Sequence, residues 1–356
     1  MYAALDEENN LIYAQQLQSP TGRYVCPKCQ QPVIVKMSKK QKYYFAHLQA
    51  CQSTGRTTKR QGESQQHQAV KALLAQGYAN AQIEYWLDTI QQQVDVWYAT
   101  EPPMILEFQK SKINEEILQK RHQAYRTVTP YVYWFGDNAE WQRSKLSKWQ
   151  KQLLYYHHSY GYHGYAVDIS MQEIIIYSHL PIIYCAESWH CCQTVISAMQ
   201  QLPSVLTSSP LPNATKRHYR TKRDVQPNRL RQSLMQTELY FPFLNGLRKQ
   251  GITLYDLPEW VFAHTWECLL VATPTWQLFG LVWLYLYRKA PNGCVTFEMI
   301  KEHLYLLVEQ QQIQLLSMPL VNKNKIEDLT QALIQCFAYF GHLEGKEKNV
   351  WFVKHD

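Results

Sequence analysis

The chain has 356 residues, 9 of them cysteine, and carries 36 Lys and Arg against 29 Asp and Glu for a net charge of +7. That length supplies two or three domains with ample core, and the charge is a mild bias toward polyanionic partners rather than proof of one. Irregular cysteine spacing, an N-terminus (MYAALDEENN) without a basic segment before an apolar run, and a longest greasy stretch (260–287) broken by His264, Glu267 and Pro274 argue against a secreted disulfide scaffold, a leader and a membrane span. A cytoplasmic protein with reduced thiols is the expectation.

The first 55 residues read as a zinc-ribbon-like domain of short strands. Cys26 and Cys29 form a C-x2-C pair, and His47 and Cys51 an H-x3-C pair, with seventeen residues between the pairs. Two close pairs on a longer loop fit one tetrahedral Zn2+. So short a segment buries too little apolar surface to hold itself, and ligation of about 10–16 kcal/mol offsets the deficit. The competing reading, Cys26–Cys29 as a redox pair, needs a helix opening in a βαβ unit. Tyr24–Val25 and Val33–Ile34–Val35 instead flank the pair as strands.

Residues 56–140 follow in a clear order. A basic cluster at Arg56, Lys59 and Arg60 reads as a linker. Glu63–Gln76 has helical periodicity through Val70, Leu73 and Leu74, and stops at Gly77. Strands are expected over 81–87, 94–99 and 104–109, the last reached through Pro102–Pro103. A helix over 114–126 and a strand over 131–135 complete an αβββαβ order.

The remainder, 141–356, is expected to be a mostly helical C-terminal domain. Residues 140–206 read as helical with one strand at Ile174–Tyr177. Residues 207–232 read as a mobile basic linker containing Lys216, Arg217, Arg220, Lys222, Arg223, Arg229 and Arg231. Tyr219 within it is a candidate for stacking on bases. Helices are expected over 233–341 and a strand over 350–353. Cys185 with His190, Cys191 and Cys192 is set aside as a metal set, since adjacent cysteines on a helix diverge by about 100°.

The acids of the second segment sit where a metal-dependent nuclease needs them. Glu63, His67 and Lys71 share one helix face at i, i+4, i+8 spacing. Asp95 opens the second strand, and Glu107 and Gln109, two apart on the third, point to one side. Phosphodiester cleavage needs an activated water and neutralisation of developing charge, and a hard cation with oxygen ligands supplies both. Asp95 and Glu107 would hold Mg2+ with the Phe108 carbonyl, and Glu63 would complete the acidic cluster.

This order, with Glu63, Asp95 and Glu107-x-Gln109, resembles the PD-(D/E)xK nuclease superfamily, a restriction-endonuclease-like α/β core. The segments ALDEENNLIYA, YVCPKC, YYFAH, GESQQH, VDVWY and ILEFQKS are similar to the competence protein CoiA family. The resemblance implies a cytosolic protein of natural transformation that acts on incoming DNA, most readily single-stranded, near recombination proteins. It also implies a Mg2+-dependent nuclease; the alternative is a non-catalytic DNA-binding adaptor that recruits those proteins. Gln109 departs from the lysine common at that position. Gln109 can orient water but supplies no charge, a role left to Lys71 if its helix packs over the strands.

Overall fold

The computed structural model describes residues 3–8, 10–14, 17, 19, 21–26, 30–37, 43–47, 65–143, 145–221, 225–289 and 293–354. These divide into two units. The first takes residues 1–69 and 86–93, and the second 70–85 and 94–356.

In the first unit, β1 (Ala3–Leu5), β2 (Leu11–Tyr13), β3 (Tyr24–Val25), β4 (Pro32–Met37) and β5 (Tyr43–His47) form one antiparallel sheet in the order β2-β1-β3-β4-β5. Among the described residues its core holds Ala4, Ala14, Tyr24, Cys26, Val33 and Phe45.

Helix α1 (Gln65–Ala75) presents Val70, Leu73 and Leu74 as its buried stripe. Strand β6 (Gln82–Ile83) follows. The expected strand over 81–87 is broken there, because Glu84 takes a left-handed φ of 58°. The chain resumes as the hairpin β7 (Trp86–Leu87) and β8 (Gln92–Gln93), which belongs to the first unit. Then come β9 (Val96–Tyr98), β10 (Met104–Phe108), α2 (Glu115–Val128) and β11 (Tyr131–Asp137). β9 pairs antiparallel with β6 and β10, and α2 crosses over to set β11 parallel to β10. The Asn114 carboxamide oxygen caps α2 by accepting from the N–H groups of Glu116 (2.8 Å) and Ile117 (3.4 Å). With the β7–β8 hairpin inserted after β6, the remaining elements α1, β6, β9, β10, α2 and β11 follow the αβββαβ order.

The sheet does not stop there. After the short helices α3 (Asn138–Trp141) and α4 (Lys148–Lys151) come β12 (Tyr155–His157), β13 (Gly161–Asp168), β14 (Glu173–Ser178), β15 (Ile183–Cys185) and β16 (Ser188–Ile196). Helix α5 (Leu202–Thr207) precedes β17 (Thr215–Arg220). The expectation of a mostly helical 140–206 is thus corrected. The strand expected at Ile174–Tyr177 is present as β14; GYHGYAVD and EIIIYS suit a sheet buried on both faces, while SWHCCQTVI alternates between exposed and buried positions. The mobile linker over 207–232 is corrected as well. β17 pairs antiparallel along β16, with Tyr219 turned inward and Lys216, His218 and Arg220 outward. Pro227 then starts helix α6 (Pro227–Met235). Residues 222–224 of that stretch lie outside the described residues.

Helices dominate only beyond 227. They are α6, α7 (Phe241–Lys249), α8 (Trp260–Ala263), α9 (Thr275–Lys289), α10 (Phe297–Glu309) and α11 (Lys325–Tyr339). Strand β18 (Trp266–Cys268) returns among them to pair with β15. β19 (Cys294–Thr296), β20 (Leu343–Glu347) and β21 (Val350–Val353) form a separate small sheet. Among the described residues the large sheet runs β18-β15-β16-β14-β13-β11-β10-β9-β6, with β12 added on β13 and β17 on β16.

Alternation along these strands feeds two cores. Ile174 and Ile176 join Val70, Leu74, Leu106 and Phe108 in one, whereas Ile175 and Tyr177 join Trp141 and the C-terminal helices in the other. Trp141 lies against the backbone of β11 and β13. A Cβ at Gly136 would come within 2.6 Å of its Nε1, and one at Gly164 within 2.0 Å of its Cη2. No helix among the described residues is long and apolar enough to cross a membrane.

Candidate functional site

β10 is buried on both faces. Met104, Leu106 and Phe108 enter the core shared with α1, so the alternation of the strand turns Ile105 and Glu107 toward α2. Glu107 is 1 % exposed. Its Oε2 accepts from Arg121 Nη2 at 2.8 Å and its Oε1 from the Tyr125 hydroxyl at 2.8 Å. Arg121 and Tyr125 lie one turn apart on α2 and are themselves joined, Nη2 donating to the hydroxyl at 2.8 Å. The guanidinium also stacks over Trp134 of β11, 5.0 Å from the ring centre.

Asp95 lies just ahead of β9. The register Val96↔Leu106, carried one step further, sets Asp95 beside Glu107. Asp95 Oδ2 accepts from the backbone N–H of Phe108 at 2.8 Å, and Asp95 is only partly buried. Burial pushes the Glu107 carboxyl up to about 8, and the Asp95 carboxylate pushes the same way. Arg121 and the Tyr125 hydrogen bond pull against them. On Arg121, burial acts downward but is outweighed by Glu107 and Tyr125, which hold the guanidinium above its ordinary value. Asp95 and Glu107 thus stand opposite each other across β9 and β10, Glu107 sealed and Asp95 only partly buried.

Lys71 and Gln109 each have a bond of their own within the protein. Lys71 is 3 % exposed, and its Nζ lies 2.7 Å from Glu84 Oε1. Glu84 in turn donates its N–H to the Asp95 carbonyl at 2.9 Å. Gln109 gives its N–H to the Phe135 carbonyl (2.8 Å) and its side-chain Nε2 to the Ser111 carbonyl (2.6 Å). Glu63 lies outside the described residues.

Three participants escaped the sequence reading: Glu84, Arg121 and Tyr125. The i, i+4 spacing of Arg121 and Tyr125 was a usable signal. Glu84 gave none, because nothing in a run of strand formers announces its left-handed turn.

In the first unit, Cys26 is buried and its N–H donates to the Gln31 carbonyl at 2.9 Å. Gln30, with φ of 52°, returns its N–H to the Cys26 carbonyl at 2.8 Å. Val33 of β4 pairs with His47, and Pro32 with Val25, so Cys26 and His47 leave the sheet at the same end. Cys29 and Cys51 lie outside the described residues.

Residues 63–210 match the family model described as competence protein CoiA, nuclease-like domain, and residues 8–54 the one described as competence protein CoiA, N-terminal domain. The chain belongs to the competence protein CoiA family. The comparison with curated proteins returns no match, and neither does that with solved structures. The CoiA nuclease-like match holds Asp95, Glu107 and Arg121, and it extends past residue 140 through β16 and α5. A competence-related function follows from membership, and a nuclease-like domain makes DNA the partner to expect.

Proposed function

We propose that this CoiA-family chain processes incoming DNA in natural transformation, with Asp95 and Glu107 as ligands for a divalent cation beside the phosphodiester. The observation that supports it is the Asp95 carboxylate set beside Glu107, where its charge raises the cost of ionising the buried Glu107. Oxygen donors on neighbouring strands fit Mg2+, and each Glu107 oxygen keeps a second lone pair beside its bond to Arg121 or Tyr125. When bound, the ion neutralises developing charge and makes its water a better nucleophile.

The chain's own residues do the positioning. Arg121 and Tyr125 fix the Glu107 carboxylate in one orientation. The Phe108 N–H fixes Asp95. Gln109, released from Ser111, orients water. Lys71 supplies positive charge and Glu63 completes the acidic cluster. Single-stranded DNA is the proposed form, recombination proteins the proposed partners and the cytoplasm the proposed compartment. Assays on single- and double-stranded DNA with Mg2+ or Mn2+ test the reading, with an Asp95→Ala/Glu107→Ala double variant alongside. Cleavage that persists in the double variant would reject it.

The adaptor reading is favoured by one observation: Glu107, Lys71 and Gln109 are each already bonded within the protein. DNA binding without cleavage at any divalent cation would select it.

A pH dependence follows for the cation. The fold favours the protonated form of Glu107, so stability falls as pH rises from the ordinary carboxyl range toward about 8. An ion needs the ionised form and must displace that proton. Its affinity is expected to climb by up to about tenfold per pH unit up to about 8 and then level. Calorimetric Mn2+ titrations between acid and mildly alkaline pH check this, and a flat profile contradicts it.

Cys26, Cys29, His47 and Cys51 are proposed to hold a structural Zn2+. Among the described residues six buried side chains form the core of that sheet, with Ile12, Leu17, Val35 and Tyr43 packed against them, a core of the size that a metal supplements. Metal removal by a strong chelator is expected to abolish amide protection over 24–47 while leaving that of 104–137 in place. Unchanged exchange over 24–47 after confirmed zinc loss would contradict a structural metal.

A further inference from the structure

We propose that Cys185, Glu187 and His264 form a second metal site, one that takes a zinc-class transition ion. Their ligand atoms all lie within 4.8 Å of one another. A tetrahedral ion with ordinary bond lengths sets its donors roughly 3.3–3.7 Å apart. A small rotation of His264, which is exposed, closes that difference.

The backbone builds this triad from two pairings. Cys185 ends β15, and Glu187 stands in the turn into β16. On the other side of β15, β18 pairs Cys185 with Trp266, which brings His264 and Thr265 alongside the turn. The Ala186 N–H donates to the Thr265 carbonyl at 2.9 Å and locks that approach. The Thr265 N–H meets both Glu187 oxygens, at 3.2 and 3.0 Å. The carboxylate is thereby held by a backbone group that is not itself a ligand, as metal carboxylates usually are. Cys185 Sγ lies 2.9 Å from Glu187 Oε2. The His264 ring stands edge-on to Trp266 at 5.5 Å, which limits its swing.

The donor set selects the ion. One sulfur, one imidazole nitrogen and one carboxylate oxygen suit zinc, cobalt or copper and disfavour magnesium and calcium. Three protein donors leave a fourth position. His264, Thr265 and Trp266 also line a cleft of about 680 Å³, from which water or a small donor can fill that position. Cys191, Cys192 and Cys268, also in this region, are not part of the group; Cys268 is buried on β18. Cys191 and Cys192 sit on β16, where neighbours face opposite sides of the sheet, Cys191 buried and Cys192 half-buried.

The test is the zinc stoichiometry and Co2+ spectrum of the full chain. Wild type is compared with Cys185→Ser, Glu187→Gln and His264→Ala, with Cys192→Ser as the control. One equivalent fewer in Cys185→Ser and His264→Ala, or affinity for that equivalent weakened at least about tenfold, is the expected result. It comes with a weaker thiolate-to-cobalt band in Cys185→Ser and no change in Cys192→Ser. His264 is exposed, so His264→Ala is expected to keep the wild-type circular dichroism spectrum. Wild-type stoichiometry and affinity in folded His264→Ala and Cys185→Ser would overturn the site and leave Glu187 as a carboxylate that merely ties down the loop at Thr265. The four-residue set of the N-terminal sheet is intact in every variant, so its zinc does not enter the difference.

Discussion

Asp95→Asn is expected to lower cation-dependent DNA cleavage by about 10³-fold or more, which corresponds to roughly 4 kcal/mol of lost transition-state stabilisation. The same change should stabilise the fold. Asparagine keeps an oxygen for the Phe108 N–H, so the β9–β10 contact survives. It removes the negative charge that, after burial, does most to raise Glu107. With the folded-state value of Glu107 brought back toward the ordinary carboxyl range, less stability is lost as pH climbs toward about 8. Urea unfolding should therefore show variant and wild type converging near pH 4 and the variant ahead at pH 8. Lost activity with gained stability is the pattern of a strained functional pair. A variant equally stable at both pH values, or one that still cleaves, would dismiss the coupling. Asp95→Ala adds a cost of about 1 kcal/mol for the forfeited hydrogen bond and is the less clean probe.

Tyr219→Ala is expected to cost about 3–5 kcal/mol in unfolding free energy, the range for deleting a large buried ring. The side chain that the sequence offered for stacking on bases is 6 % exposed. It lies 4.1 Å from Trp189 in a parallel stack with an interplanar angle of 8°, and Arg217 covers it at 5.2 Å. Tyr219→Phe keeps the ring and should lose little. If the chain binds DNA as proposed, the cations of β17 free to meet it are those of its outward face, Lys216 and Arg220. Lys216→Ala/Arg220→Ala is expected to leave the melting temperature within about 2 °C of wild type, as surface changes do. It should shallow the salt dependence of binding by about 0.7 for each phosphate contact on single strands. A Tyr219→Ala protein that melts like wild type but no longer binds DNA would reverse this assignment.

The legible parts of the chain were those where local rules act alone. Val70, Leu73 and Leu74 declare α1, Asn114 with Glu115 and Glu116 declares the start of α2, and the two-residue period of β10 placed Phe108 in a core and Glu107 on the other face. Each is a short-range signal that tertiary packing happened to reinforce. The misread stretch, 140–220, failed for a physical reason. A strand covered on both faces loses its polar alternation, so GYHGYAVD of β13 reads as any greasy segment, whereas the β-branched run at Ile174–Tyr177 did declare its strand. The cations of β17 looked solvated because Tyr219 is the one buried residue of that strand, with Arg217 half-buried beside it. At the site, carboxylates announced themselves, but their partners did not. Arg121 and Tyr125 reach Glu107 across a crossover connection, and Glu84 reaches Lys71 only after a left-handed turn. Pairings of that kind are set by topology, which no window of sequence contains.

The bare backbone beneath the Trp141 indole bears on how the chain can be dissected. Gly136 precedes that tryptophan and Gly164 follows it, so the ring rivets together segments on both sides of residue 140. A fragment ended there would shed the rivet and strip β13 from the flank of β11, leaving a raw, sticky margin where a finished protein has none. The smallest stretch that preserves the catalytic proposal for separate expression must therefore run past β16, and an insoluble shorter piece would say nothing about whether the acids at 95 and 107 cut DNA.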